Sequence, residues 1–307
     1  MRYLVTGGAG FLGANLARKL TGLGHKVVVL DNLISGRSEN LAGVPGVDFV
    51  EADVSMPFDV PGSIYGIYHL ASIASPVFYQ KCPIETLIVG ARGTENVLDF
   101  ACRRGVRTLI ASTSEVYGDP LVHPQTEGYW GNVNPIGPRS MYDESKRYAE
   151  ALAFAYHRGK GADIAVARIF NTYGPGMRHD DGRAVPAFIM QALAGRPLTV
   201  HGDGSQTRSF CYVDDLMDGL MAVYESGRPG PYNVGNPSEK TVRELAEIII
   251  RLCGSGSELR FENRPPDDPC RRMPDISKIK SELGWEPTTR LEDGLRRTIE
   301  YFRSRFF

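Results

Sequence analysis

The chain has 307 residues, with 35 Lys and Arg against 36 Asp and Glu; a net charge of -1 removes the electrostatic case for nucleic acid or an anionic membrane as partner. Hydrophobic residues make up 42% and charged residues 23%, the balance of a globular chain large enough for two domains or one large α/β unit. Five scattered cysteines (Cys82, Cys102, Cys211, Cys253, Cys270) without Cys-x-x-Cys spacing argue against a disulfide framework or a metal site. No apolar stretch approaches the roughly 20 residues needed to span a bilayer, and no leader precedes the first strand-like run, so the chain reads as soluble and cytoplasmic.

A strand over residues 2–6 runs into Gly7-Gly8-Ala9-Gly10-Phe11-Leu12-Gly13, followed by an amphipathic helix with Leu12, Leu16, Leu20 and Leu23 on one side and Arg18 and Lys19 on the other. Val27 to Asp31 is a β-branched run of the kind buried on both faces of a parallel sheet. Further strands are predicted over 47–51, 64–70, 107–112 and 162–169, with a helix over 84–104 between two of them. That alternation, about six parallel strands, is the signature of an α/β, Rossmann-type doubly wound sheet.

The loop 118–138 is long and rich in Pro, Gly and Asn, which suggests a functional role. Ser140 is placed to cap the helix after it. Beyond residue 170 the alternation loosens, with helices expected near 184–194, 214–226, 241–252 and 291–303. The expected division is therefore a dinucleotide-binding domain over 1–170, to which segments near 207–235 return, and a smaller, mainly substrate-binding domain over 171–307.

Gly7, Gly10 and Gly13 form GxxGxxG between a strand and a helix, where missing side chains permit a tight turn and close approach to a pyrophosphate. Asp31, at the end of the second strand, suits a ribose hydroxyl and repels a 2′-phosphate, favouring NAD over NADP; Arg37 nearby keeps NADP in view. The other cofactor contacts are expected at the same sheet edge: Phe11 and Leu12; Asn32, Ser35 and Gly36; Asp53 and Val54; Leu70, Ala71 and Ser72. Tyr142 and Lys146, four apart on a helix, share a face; an ammonium beside a phenol lowers the phenol's pKa and makes it a proton acceptor.

GxxGxxG, Ser112-Thr113-Ser114 after a central strand, and Tyr142/Lys146 together resemble the extended short-chain dehydrogenase/reductase family along nearly the whole chain. The resemblance implies that Tyr142 deprotonates a substrate hydroxyl whose carbon gives a hydride to NAD. It implies too that Lys146 holds the nicotinamide ribose and that Thr113 orients the substrate oxygen. Within that family, the stretch from Ser112 to Pro120, then His123-Pro124-Gln125, Tyr129-Trp130-Gly131 and Asn134 to Arg139, is similar to the UDP-glucuronate decarboxylases. So are Ala167 to Asn171, Asp181-Gly182-Arg183, Gly204 to Arg208 and Arg272-Met273-Pro274-Asp275.

The implied reaction oxidises C4 of UDP-glucuronate, loses carbon dioxide from the β-keto acid and returns the hydride to give UDP-xylose. By this resemblance Glu115 and Arg272 act at the decarboxylation step, and Arg272 also meets the substrate. Ser114 stands where the 4,6-dehydratases carry an acid, which disfavours dehydration. Asn171 and Arg208 are expected at the diphosphate, and Arg183, Gln206 and His201 at the nucleotide end. A homodimer built from helices near 84–104 and 141–158 is implied as well; Gly90, Ala91 and Ala149 would permit its close packing, and packing within the chain accounts for them equally well.

Three positions depart from the family: Gly90 where an asparagine is usual, Gly176 where an arginine is usual, with Arg178 nearby, and His201 in place of an aromatic residue. A 4-epimerase or dehydratase is the competing enzyme reading, and a non-catalytic NAD and sugar-nucleotide sensor is the reading of another class.

Overall fold

In a computed structural model, which describes residues 1–180, 182–265 and 267–307, seven strands form one wholly parallel sheet. In chain order these are β1 (Arg2–Thr6), β2 (Lys26–Asp31), β3 (Val47–Glu51), β4 (Gly66–His69), β5 (Arg107–Thr113), β6 (Ile164–Ile169) and, separated by the short strands β7 (Thr172–Tyr173), β8 (Leu198–His201), β9 (Thr207–Ser209) and β10 (Cys211–Tyr212), β11 (Tyr232–Val234). The spatial order is β11-β6-β5-β4-β1-β2-β3, so the winding reverses between β1 and β4. A ligand cleft is expected at the carboxyl ends of strands beside such a reversal.

Helices cover both faces. Leu16 and Leu20 of α1 (Phe11–Gly22) are fully buried against Val27 and Val29, whereas Leu23, expected on the same stripe, lies past the last turn and is 54% exposed. On the other face, Val97 and Phe100 cover Leu4, Val28 and Leu30, while Ala149 and Ala153 of α5 (Ser140–Lys160) cover Ile110 and Val166.

The single helix predicted over 84–104 is broken. α2 (Pro76–Lys81) and α3 (Pro83–Ile88) each begin on a proline, whose missing N–H is harmless in a first turn. A wide π-type turn, Val89–Gly93, then leads into α4 (Thr94–Arg104). At Gly90 a Cβ would lie 2.5 Å from the Cβ of Ser145 in α5 (Ser140–Lys160), so the asparagine usual in the family has no room here. Ser140 does not cap α5; it is the first helical residue, and Arg139 supplies the entry, its carbonyl accepting from the N–H groups of Tyr142 and Asp143.

The later helices lie close to expectation: α6 (Ala184–Leu193), α7 (Val213–Glu225), α8 (Val242–Cys253) and α10 (Leu291–Phe306). A further helix, α9 (Ser277–Leu283), lies between α8 and α10 and was not foreseen. Three strands complete the chain: β12 (Glu239–Thr241), β13 (Leu259–Glu262) and β14 (Arg271–Arg272). β9 sits between β12 and β14, which sets Arg272 opposite Arg208. Thr241 and Glu244 form a reciprocal capping box at the start of α8.

Candidate active site

The turn after β1 excludes side chains. Gly7 has φ +69, a Cβ there would stand 2.6 Å from the Ala71 nitrogen, and one at Gly13 would stand 2.3 Å from the Gly7 carbonyl oxygen. Gly10 enters α1 with extended backbone, so the first N–H groups of the helix open onto a cleft of about 290 Å³. Gly7, Gly10, Phe11, Leu12, Gly13, Asp31, Asn32, Ser35, Gly36, Asp53, Val54, Leu70, Ala71 and Ser72 all line it.

One Asp31 oxygen accepts the Ala9 N–H and the other the Leu33 N–H, both at 2.9 Å, and burial keeps the carboxyl above its ordinary range. Asn32 Nδ2 donates to Asp53 Oδ2 at 3.1 Å. Arg37 is turned to Asp180 at 3.7 Å. Arg178, beside the position-176 departure, grips both oxygens of Asp180 and lies 4.5 Å from the Phe78 ring centre on the same wall.

These residues fit NAD. They offer a cradle that any Cβ would fill and a helix N-terminus for the pyrophosphate. Carboxylate lone pairs remain for ribose hydroxyls, and the Ser72 Oγ is buried without a partner among the described residues.

A second cavity, of about 790 Å³, adjoins at Phe11, Leu12, Leu70 and Ser72. Thr113, Ser114, Glu115, Tyr142, Lys146, Asn171, Arg183, His201, Gln206 and Arg208 line it, so strand ends from β5 to β9 bring together residues almost a hundred positions apart. Asp181, next to Arg183, lies outside the described residues.

Tyr142 is hydrogen-bonded to Thr113 and stacks on Tyr79, ring centres 5.4 Å apart and nearly parallel. The expected depression of its pKa by Lys146 is not found. Burial pushes the phenol up to about 12, with the Thr113 hydroxyl pulling the other way. Burial likewise brings Lys146 down to about 8, opposed by Glu150; its Nζ donates to the Ala111 carbonyl at 2.8 Å. The physical reason is desolvation: both side chains sit in the interior, where the neutral form of each is favoured.

Glu115 lies between two guanidinium groups, Arg272 Nη1 at 2.5 Å and Arg139 Nη2 at 2.9 Å. Burial alone would raise its carboxyl, but the Arg272 and Arg139 charges outweigh it and hold the group at about 2. Arg272 does not line the cavity, contrary to its expected contact with substrate. It is 2% exposed and backs Glu115, donating also to Ser114 Oγ at 3.2 Å and to the Gly118 carbonyl at 2.7 Å. Arg139, by contrast, reaches the cavity wall. Nearby, Asp143 is pushed up to about 7 by burial first and by Glu115 second.

At the far end Arg208 donates to Asp268 Oδ1 at 2.9 Å, and Gln206 Nε2 donates to the His201 carbonyl at 2.7 Å. Sequence reasoning assigned no role to Arg139, Tyr79 or Asp143. Arg139 carried a signal, one helical turn ahead of Tyr142 in the run Gly137-Pro138-Arg139; Tyr79 carried none.

Chemically, the arrangement joins a hydroxyl-handling pair, Tyr142 and Thr113, to a fixed ion cluster with two cations and one anion. Among the described residues no group of His, Cys, Asp and Glu is arranged to hold a metal, and no helix is long and apolar enough to cross a membrane.

Known proteins carry the same framework. The chain is 53% identical over 309 residues to a UDP-glucuronic acid decarboxylase of Arabidopsis thaliana, covering 99% of this chain and 90% of that protein. It is 52% identical over 305 residues to one of Xenopus tropicalis, covering 98% and 72%. The crystal structure of a dTDP-glucose 4,6-dehydratase from Streptomyces venezuelae, solved with NAD bound, superposes with a TM-score of 0.90 at 33% identity, over 99% of this chain and 98% of that one. The model of the NAD dependent epimerase/dehydratase family matches residues 3–235, from the first strand of the sheet through its last. With the glycine cradle, the Tyr142/Lys146 face and the parallel sheet all inside that match, the chain belongs to the NAD dependent epimerase/dehydratase family.

Proposed function

We propose that the protein decarboxylates UDP-glucuronate to UDP-xylose. NAD, held by the Gly7, Gly10 and Gly13 cradle and Asp31, would supply the acceptor for a hydride from C4 of the sugar and its return, so the cycle has no net redox change. Tyr142 takes the proton of the C4 hydroxyl as a phenolate, the form that the positive nicotinamide of bound NAD would favour against the effect of burial, while Thr113 holds that oxygen. The resulting β-keto acid breaks its C5–C6 bond; carbon dioxide leaves, and the electron pair moves onto the C4 oxygen as an enolate. A proton drawn from solvent then adds at C5 and re-forms the C4 ketone, which takes back the hydride at carbon and, at oxygen, the proton that Tyr142 held.

The observation that carries this reading is the Glu115 clasp. Two guanidiniums face the Glu115 carboxylate, and burial keeps Asp143 partly protonated beside them, so the cluster retains positive charge at neutral pH, which Arg139 presents on the cavity wall. A uronate carboxylate is the anion that balances it. With its proton lost far below neutral pH, Glu115 serves as a fixed negative charge that holds both arginines, not as an acid. Ser114, whose hydroxyl accepts from Arg272, is no replacement for the acid that a dehydration needs.

We place the protein in the cytoplasm as a homodimer. All five cysteines are free, in keeping with a reducing compartment. Gly90 and Ala149 pack within the chain, so a partner would instead meet Ile84, Leu87 and Tyr148, which α3 and α5 leave 67%, 43% and 50% exposed.

Incubation with UDP-glucuronate and NAD tests the activity. UDP-xylose and carbon dioxide are expected; UDP-galacturonate without carbon dioxide would mean a 4-epimerase, and no turnover at all would leave a sensor.

A further inference from the structure

Arg272 lies on a strand of two residues, too short to hold a buried guanidinium in place by itself. What holds the next residues is a polar clasp in the protein interior. Gln125 donates its N–H to the Met273 carbonyl at 2.9 Å, and its side-chain oxygen accepts the Met273 N–H at 2.9 Å. Its carbonyl accepts the Asp275 N–H at 2.8 Å. Asn233, on β11, locks the other side: Nδ2 donates to the carbonyls of Gln125 at 2.9 Å and Asp275 at 3.0 Å, while Oδ1 accepts the Tyr117 hydroxyl at 2.7 Å.

Gln125 and Asn233 are both fully buried. An apolar residue would fill either place at less cost, because a buried amide is tolerable only with its donors and acceptors satisfied. Here much of the satisfaction falls on the backbone just after Arg272, at Met273 and Asp275, while Gln125 Nε2 donates to the Val122 carbonyl at 2.9 Å. Beyond Tyr117 a separate chain, which needs only the Asn233 Oδ1 acceptor, leads toward the redox groups. Tyr117 Oη accepts from Arg168, Arg168 grips both oxygens of Glu150, and Glu150 accepts from Ser112, the neighbour of Thr113.

We propose that Gln125 and Asn233 are positioning residues for carbon dioxide loss, setting Arg272 against Glu115; this rests on the decarboxylase reading above. Neither touches the 790 Å³ cavity, so neither is a catalytic residue. Displacement of a reacting constellation by about 1 Å costs about 100-fold in rate. The step that suffers is the one using Arg272, and the hydride step at Tyr142 and Thr113 is spared.

The test uses the NAD-loaded protein with UDP-glucuronate in single-turnover mixing, following NADH absorbance and carbon dioxide together. In Gln125→Leu, NADH is expected to form within about threefold of the wild-type rate, while carbon dioxide release falls about 100-fold and NADH persists. The KM for UDP-glucuronate is expected to stay within about threefold, since the cavity wall is untouched. Gln125→Glu keeps the acceptor for the Met273 N–H and, protonated in this buried place, a donor for the Val122 carbonyl that Nε2 meets at 2.9 Å, and is expected to restore the wild-type ratio of the two rates. Should Gln125→Leu not fold, Asn233→Asp decides. It keeps the acceptor for Tyr117, removes both donors, and carries the same expectation. Equal loss of both steps, or of neither, overturns the positioning role. Wild-type protein that releases no carbon dioxide overturns instead the reading on which the proposal rests.

Discussion

Lys146 directs its ammonium at the Ala111 carbonyl, 2.8 Å away, and stands 6.0 Å from the centre of the Tyr142 ring. A buried ammonium in that position weakens the fold. Its folded pKa is about 8 against an ordinary 10.5, so between those values the unfolded chain holds a proton that the folded protein has released. The unfolded state binding more protons means that stability rises with pH across that window, by about 3 kcal/mol at most. In NAD-free protein, Lys146→Met is expected to raise Tm at pH 7, to flatten the rise between pH 8 and 10.5, and to abolish turnover. Thermal melts across pH check the first two; a lower Tm at pH 7 would contradict the argument.

Tyr142→Phe keeps the ring that stacks on Tyr79 and removes only the hydroxyl. The variant is expected to fold and to show no NADH signal on mixing with UDP-glucuronate, with turnover down by about 10³-fold, inside the range for loss of a general base. A normal NADH burst would show that another group takes the proton.

Glu115→Gln separates the two halves of the reaction. The neutral amide leaves Arg272 and Arg139 without their shared anion, so C4 oxidation is expected to proceed and carbon dioxide release to slow by about 100-fold or more. NADH that accumulates and persists is the readout, and full decarboxylation by the variant would remove Glu115 from the mechanism. Its acid stability carries a second signature. The carboxyl is at about 2 when folded and ordinarily at 4.5, so its contribution is complete above 4.5 and is lost as pH falls toward 2. The variant's melting temperature is expected to fall less steeply over that interval.

What was legible in the chain follows from how local each feature is. The glycine turn, Asp31 at the next strand end and the four-residue spacing of Tyr142 and Lys146 are short-range patterns, and their residues gather at one sheet edge. The direction of the Tyr142 pKa shift was misjudged because spacing puts two groups on one face but says nothing of their desolvation. The clasp at Met273 was invisible because Gln125 lies 148 positions away. The break at Val89–Gly93 carries a local mark in Gly90 and Gly93, but the reason for Gly90, the close approach of Ser145 on another helix, is not local.

Cofactor choice gives the last expectation. The Asp31 carboxylate is fixed from two sides by the Ala9 and Leu33 N–H groups, and Gly36 comes so near that a Cβ there would lie 2.9 Å from Asp31 Oδ1. A 2′-phosphate brought to this point meets a rigid negative charge. The nearby cations that could answer it, Arg37 and Arg178, are both engaged by Asp180. Asp31→Asn is expected to weaken NAD binding by about 10-fold, the loss of a charge-assisted hydrogen bond, without a matching gain for NADP. Adding Asp180→Ala frees Arg37, and the double variant is expected to bind NADP at least as tightly as NAD. Titration of each purified variant with both dinucleotides decides this. If the double variant still prefers NAD by the wild-type margin, selectivity does not reside in the Asp31 and Asp180 carboxylates.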